Sequence, residues 1–180
     1  CSGITKDIGL VFVDGARIEY LKPEQELKEE SAQVNVTVDV NAYADREYEC
    51  EIVLIHPDGR KDSSTVPVPQ TIHGTVTTEF VIEHPELWWT RELSGKDKQP
   101  LYTIQATLFA DGKPVDEQSK KIGIRTIELN REKDAYGQNF QFRLNGVPLF
   151  IKGTNYIPAD SFITRFDGQK LDYLLDAVVF

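Results

Sequence analysis

The strongest constraint on the fold is a two-residue alternation of apolar and polar side chains, which dominates the sequence up to about residue 129. In residues 34–40, valines alternate with asparagine, threonine and aspartate. Successive side chains of a strand point to opposite faces, so this run predicts a strand with one buried face and one wet face. The same alternation recurs in residues 48–54, 76–82 and 102–108.

Turn-forming residues separate the alternating runs. They are Asp14-Gly15, Pro57-Asp58-Gly59, His73-Gly74 and Asp111-Gly112. With further strand-like segments at residues 8–13, 16–21 and 122–129, the pattern predicts about seven strands with a turn roughly every 8–15 residues. Such spacing is typical of two packed antiparallel sheets. We therefore predict an all-β fold, an antiparallel β-sandwich of roughly immunoglobulin size, up to about residue 129.

The pattern changes after residue 129. Two short alternating runs flank Asn145-Gly146, a strong hairpin signal because a type I′ turn needs φ > 0 at both central residues. A short strand is predicted over residues 154–157, and Asp167 is a predicted N-cap for an amphipathic helix. The apolar stripe of this helix consists of Leu171, Leu174, Leu175 and Val178. A strand followed by a helix begins an α/β unit, so residues 129–180 are predicted to begin a second domain.

Composition excludes several classes of protein. With 20 Lys and Arg against 29 Asp and Glu the formal net charge is −9, and an acidic chain repels the phosphates of nucleic acids. The longest apolar runs have about four residues, far short of the roughly 20 that span a bilayer. We therefore expect no nucleic-acid partner and no membrane span.

Neither the cysteines nor the histidines form a metal-binding pattern. Cys1 and Cys50 cannot supply a disulfide framework, and a bridge between them is not expected. The three histidines lie far apart, so each is interpreted as a surface or edge residue: His56, His73 and His84. We therefore expect no bound metal ion.

Both ends of the sequence lack the usual signals of a complete chain. No methionine occurs, nothing has the pattern of a signal peptide, and no helix stop signal follows the apolar residues at the end. The chain is therefore interpreted as a piece of a longer protein. Its compartment stays open, with a periplasmic or secreted location favoured.

Four motifs in a fixed order resemble those of glycoside hydrolase family 2. They are GITKDI at residues 3–8, PELWW at 85–89 with QPLY at 99–102, IGIRTIE at 122–128, and the run 142–162 that contains KGTNYIPADSF. The last motif is similar to the β-mannosidase branch of the family. It departs from that branch at Tyr156, where the branch has Trp.

The resemblance implies a domain organisation and an activity. Residues 1–128 would be the immunoglobulin-like domain between a sugar-binding-like N-terminal domain and a catalytic barrel. Residues 129–180 would be a β-hairpin and the first strand and helix of a truncated TIM barrel. The whole protein would be a retaining exo-β-mannosidase that hydrolyses terminal β-mannosides or a related glycan. Because the family carries its two catalytic glutamates on later barrel strands, no catalytic residue is expected here, and the chain alone is expected to be inactive.

Three residues in the last motif are predicted substrate contacts, because barrel strands present functional side chains at their C-terminal ends. Asn155 could hydrogen-bond a sugar hydroxyl or a catalytic carboxylate, Tyr156 could stack its ring on the sugar, and Asp160 could accept hydroxyl protons. In the alternative interpretation, Asn155 and Asp160 only hold the loop in place, and Tyr156 fills the barrel.

The adjacent pair Trp88-Trp89 allows a structural or a sugar-binding role. Neighbours on a strand point to opposite faces, so the two rings cannot form one stacking platform there. We therefore predict that one ring enters the sandwich core and the other packs against the adjacent domain.

Two other functions stay open beside a β-mannosidase. One is another family 2 specificity, such as that of an exo-β-glucosaminidase or a β-galactosidase. The other is a free-standing carbohydrate-binding or adhesion module, since sandwiches host many such roles.

Overall fold

The computed structural model describes residues 4, 7–95, 99–133, 135–153, 155–157, 160, 165 and 167–178. The chain divides into two compact units. One unit is Val13–Phe150, and the other combines Cys1–Phe12 with Ile151–Phe180. Each unit is described by itself below.

Two antiparallel sheets form most of the first unit. Their strands are β1 (Ala16–Leu27), β2 (Ser31–Ala42), β3 (Tyr48–Ile55), β4 (Lys61–Pro67), β5 (His73–Glu83), β6 (Tyr102–Ala110) and β7 (Lys113–Ile122). One sheet has the order β1-β2-β5 and the other β4-β3-β6-β7. The predicted immunoglobulin-like sandwich is therefore confirmed.

The core lies between the inner faces of these sheets, as the alternation predicts. In β2, Val34, Val36 and Val38 are fully buried, whereas Asn35 between them faces solvent. The other strands contribute, among others, Tyr48, Cys50, Ile52, Leu54, Phe80, Ile82, Ile104 and Leu108. Cys50 has a free thiol, and burial raises its pKa to about 11. It is therefore an apolar core residue at neutral pH. Cys1 lies outside the described residues.

Side chains of β7 form hydrogen bonds to the backbone of β1 where these two edge strands meet. A β-bulge between Ile18 and Tyr20 interrupts the pairing of β1 with β2. Beside it, the backbone N–H of Ile18 donates to Asp116 Oδ2 at 2.7 Å, and Gln118 Nε2 donates to the Ile18 carbonyl at 2.7 Å. These bonds satisfy backbone groups that a sheet edge would otherwise leave open to pairing with other chains.

Some strand predictions are wrong. Residues 8–13 form no strand, and Phe12 is 89% exposed. Residues 122–129 do not form a single strand, because β7 ends at Ile122 and the next strand begins at Ile127. The pattern also does not predict β4 and β7. Both are edge strands rich in polar residues, and they form by pairing with β3 and β6 rather than by burying one apolar face.

A third, smaller sheet and one helical turn complete this unit. The sheet contains β8 (Ile127–Asn130), β9 (Gln141–Leu144) and β10 (Val147–Leu149) in the order β10-β9-β8. Between β9 and β10, Asn145 has φ 49° and Gly146 has φ 78°. Both central residues of the turn thus have positive φ, which confirms the predicted hairpin. The helical turn is α1 (Arg91–Ser94).

The second unit contains the predicted helix, α2 (Gly168–Val178). Its N-cap is confirmed, because Asp167 Oδ1 accepts a hydrogen bond of 3.0 Å from the Lys170 N–H. No described residue of α2 is buried, and Val178 at its end is 70% exposed. No helix within the described ranges is long and apolar enough to cross a membrane.

The strand predicted over residues 154–157 is wrong where it can be assessed. Thr154 lies outside the described residues, and residues 155–157 form no strand. A strand needs a neighbour to satisfy its backbone groups, and the described part of this unit has no other strand. Local sequence pattern alone therefore does not produce the strand.

Candidate functional site

The three predicted substrate contacts all lie in the second unit. The Asn155 side chain is exposed, Tyr156 is 55% exposed, and Asp160 is half-buried. The structure thus leaves the amide and the phenol ring accessible to a ligand. The role of these residues in substrate binding stays a prediction.

Residues 85–89, called the PELWW segment below, connect β5 to α1. Hydrogen bonds of their backbone groups hold them in place. The Glu86 N–H donates to the Tyr102 hydroxyl at 2.9 Å, and the Trp88 N–H donates to the Ile124 carbonyl at 2.8 Å. Gln99 Nε2 donates to the Trp89 carbonyl at 3.1 Å. The segment is therefore fixed at three points along its backbone, and both tryptophans have a defined backbone position.

Trp88 packs against the segment that follows β7. A Cβ atom placed on Gly123 would lie 2.6 Å from both Cβ and Cγ of Trp88, so only glycine fits beneath this ring. The Arg125 guanidinium carbon lies 5.7 Å from the ring centroid, in the range of a cation–π contact. Trp88 is half-buried, as is Trp89, and the prediction that one ring enters the core is wrong. Gly123 and Arg125 hold Trp88 at the surface of the sandwich instead.

Asn145 links the hairpin to the PELWW segment. Its Nδ2 donates to the Trp88 carbonyl at 3.0 Å, and its Oδ1 accepts from the Thr126 N–H at 2.9 Å. The sequence predicts Asn145 only as a turn residue. It does not predict these bonds, since Trp88 lies 57 positions away along the chain.

Trp89 lines a groove in the first unit, called the Trp89 groove below. Its volume is about 890 Å³, within the usual range for small-molecule sites. Its lining includes Pro57, Glu86, Trp89, Ser94, Gln99 and Pro100. The groove therefore combines an aromatic ring and rigid prolines with a carboxylate, a hydroxyl and an amide.

His56 is buried, which corrects its interpretation as a surface or edge residue. It is 6% exposed, and its Nε2 lies 2.7 Å from Asp62 Oδ2. An Arg60 nitrogen lies 3.0 Å from Nδ1. Since a guanidinium can only donate, Nδ1 accepts and Nε2 carries the proton that is donated to Asp62.

The cluster of His56, Arg60 and Asp62 supports the PELWW segment through Tyr102. The His56 ring lies edge-on to Tyr102, with 5.3 Å between centroids, and the Tyr102 hydroxyl accepts the Glu86 N–H. Burial raises the pKa of Tyr102, so its hydroxyl stays protonated at neutral pH. No group of three or more metal-binding side chains occurs among the described residues.

Comparison with known proteins gives a consistent result. The family model for glycosyl hydrolases family 2 matches residues 16–125. Beta-mannosidase B of Aspergillus terreus is 33% identical over 180 residues, which cover 99% of this chain and 20% of that protein. The chain thus spans about a fifth of the length of this curated relative.

Two solved structures are similar in fold and sequence. A β-D-mannosidase from Dictyoglomus thermophilum superimposes with a TM-score of 0.79 and 28% identity, over 91% of this chain and 20% of that one. The exo-chitosanase CsxA of Amycolatopsis orientalis gives a TM-score of 0.67 and 25% identity, over 91% of this chain and 19% of that one.

Proposed function

Because the chain belongs to glycosyl hydrolases family 2, we propose that it forms a non-catalytic part of a retaining exo-β-mannosidase that hydrolyses terminal β-mannosides. The observation that carries the proposal is the 33% identity to a beta-mannosidase B over 99% of the chain. The motif at residues 152–162, which resembles the β-mannosidase branch, supports the same specificity.

The proposed domains follow the sequence prediction. Residues 1–128 form the immunoglobulin-like sandwich, and residues 129–180 form the hairpin and the first helix of the catalytic barrel. The first barrel strand would form only in the whole protein, where neighbouring barrel strands offer its backbone hydrogen-bond partners. Its partners within the whole protein are a sugar-binding-like N-terminal domain and the remainder of the barrel. The exposed apolar stripe of α2 supports this proposal, because a barrel helix covers such a stripe by packing on the strands.

The chemistry of the proposed reaction requires residues outside this chain. A retaining glycosidase uses two carboxyl groups about 5 Å apart, one as acid and base and one as nucleophile. The resemblance assigns both groups to later barrel strands. The contribution of this chain is then to position domains and, near Asn155, to contact the sugar. Neither role needs a metal ion or an organic cofactor.

The proposal is tested by assaying the whole protein and the 180-residue chain side by side. The substrates are aryl β-mannoside, β-galactoside, β-glucuronide and β-glucosaminide. We expect the whole protein to prefer the mannoside and the chain alone to hydrolyse none of the four. Turnover by a contaminant-free preparation of the chain would contradict the assignment of the catalytic carboxylates, and a whole protein that prefers another glycoside would refute the specificity.

We also propose that Asn155, Tyr156 and Asp160 contact the substrate. In the whole protein, Asn155→Ala should lower kcat/KM for the mannoside by about tenfold, because a hydrogen bond to a sugar hydroxyl is lost. The matched control is Gln169→Ala on the exposed surface of α2, which should leave kcat/KM unchanged. An Asn155→Ala enzyme with wild-type kcat/KM would leave Asn155 only a structural role in its loop.

One observation favours a second candidate, an exo-β-glucosaminidase. Tyr156 departs from the β-mannosidase motif, and the exo-chitosanase of Amycolatopsis orientalis is 25% identical with a TM-score of 0.67. The glucosaminide in the same panel decides between the two, since a higher kcat/KM on it than on the mannoside would select this alternative.

A further inference from the structure

We propose that the Trp89 groove binds a neutral pyranose ring of a glycan chain. The choice of a mannose-containing glycan rests on the proposed function, whereas the binding chemistry rests on the groove itself. The groove lies wholly in the first unit and is built from the PELWW segment, α1 and the residues around Pro57 and Pro100.

The backbone that carries the Trp89 ring is held in place before any ligand arrives. The backbone around it is fixed at the Trp88 N–H, at the Trp88 carbonyl and at the Trp89 carbonyl, which accepts from Gln99. Trp89 is only half-buried, so the structure does not use its ring as a core residue. A half-exposed aromatic face on a rigid backbone loses little conformational entropy on binding and suits the flat C–H face of a pyranose.

The polar groups beside the ring are suited to sugar hydroxyls. The Glu86 carboxylate is exposed and accepts hydrogen bonds, and so does the amide oxygen of Gln99. The Ser94 hydroxyl donates to the Thr90 carbonyl, and its oxygen can accept in turn. An apolar face with acceptors at its rim matches a pyranose, which has C–H groups on one face and hydroxyl donors at its edge.

The charge of the groove lining restricts the class of sugar that the groove can bind. Glu86 is the only charged residue of the groove lining within the described residues, and the chain as a whole carries a net charge of −9. A uronic acid would place a second carboxylate near Glu86, and like charges at short range repel. The groove should therefore favour neutral sugars over uronides. Its volume of about 890 Å³ leaves room for more than one sugar ring.

The test titrates the 180-residue chain with β-linked mannobiose and with an aryl β-glucuronide. Trp88 and Trp89 are the only tryptophans of the chain, so intrinsic fluorescence reports on this region, and ligand-observed NMR confirms contact. We expect saturable binding of mannobiose by the wild type and a loss of affinity of at least about tenfold in Trp89→Ala. Glu86→Gln should reduce the discrimination against the glucuronide, because it removes the like charge, and it should weaken mannobiose binding less than Trp89→Ala does. Glu49→Gln, on an exposed strand position, is the control and should change neither affinity.

Several outcomes would overturn the proposal. The first is that the wild type binds no sugar saturably. The second is that Trp89→Ala binds mannobiose as tightly as the wild type does, while its circular dichroism and thermal midpoint show that it is folded. If Trp89→Ala does not fold, the Glu86→Gln variant provides the test. A ratio of mannobiose affinity to glucuronide affinity equal to that of the wild type would show that the sugar binds outside the groove.

A further measurement tests whether another part of the whole protein occupies the groove. N-bromosuccinimide should oxidise Trp89 in the whole protein as in the chain, as followed by mass spectrometry. Protection of Trp89 only in the whole protein would overturn the proposal in favour of a domain contact. The result is independent of the proposed function, since binding by the chain and hydrolysis by the whole protein are measured separately.

Discussion

Val36→Asp should strongly destabilise the sandwich, whereas Asn35→Asp on the same strand should have a much smaller effect. Val36 is fully buried between the two sheets, and Asn35 next to it faces solvent. A carboxylate at position 36 would lose its hydration without gaining a partner, which we expect to cost about 4 kcal/mol or more. Since domains of this size are stable by only about 5–15 kcal/mol, this removes roughly a quarter to four-fifths of the free energy of unfolding.

The pair of variants is compared by urea denaturation of the 180-residue chain. Asn35→Asp adds the same charge to the same strand, so it controls for net charge and strand propensity. Because position 35 lies opposite Glu24 and Glu79, we expect it to cost up to about 1 kcal/mol of the free energy of unfolding, well below the cost of Val36→Asp. Equal destabilisation by both variants would contradict the assignment of the buried face of β2.

Gly123→Ala should be the most damaging single-methyl change outside the core. The added Cβ would lie 2.6 Å from Cβ and Cγ of Trp88 and 2.9 Å from its Cδ1. Trp88 cannot move away easily, because its N–H is bonded to the Ile124 carbonyl and its carbonyl to Asn145. We expect a loss of about 2–3 kcal/mol in the free energy of unfolding, measured by thermal and urea denaturation.

Two controls separate steric overlap from loss of glycine flexibility. Gly137→Ala adds a Cβ where no atom lies within 4 Å, and it should change stability by less than about 0.5 kcal/mol. A Trp88→Gly background removes both the ring and the Cβ atom of residue 88, so the overlap is gone and Gly123→Ala should cost little there. An equal cost of Gly123→Ala in both backgrounds would show that the Trp88 side chain does not cause the destabilisation.

The sequence predicts well the features that depend on neighbouring residues. Alternation identifies the buried faces of β2, β3 and β6, because the pleat of a strand has a period of two residues. Asn145-Gly146 predicts a hairpin because few residue pairs tolerate two positive φ angles. Asp167 predicts the start of α2 because its side chain reaches the N–H of Lys170, three residues later.

The sequence predicts poorly the features that depend on pairing partners. β4 and β7 are strands because β3 and β6 offer them open edges, and their own residues are largely polar. Residues 8–13 have the apolar content of a strand and no partner strand among the described residues. His56 is buried because Asp62 and Arg60 satisfy both ring nitrogens, and composition alone does not reveal such a cluster.

For this protein, local sequence pattern was sufficient to determine the class of fold, the inner faces of the main strands, the hairpin turn and the cap of α2. Each of these rests on a rule about residues at most a few positions apart. The tertiary structure alone decided that Trp88 lies on Gly123, that Asn145 holds the PELWW segment, and that Trp89 lines a groove. These contacts join residues about 10 to 90 positions apart. Their geometry depends on how two whole sheets pack, and no local pattern of residues specifies that.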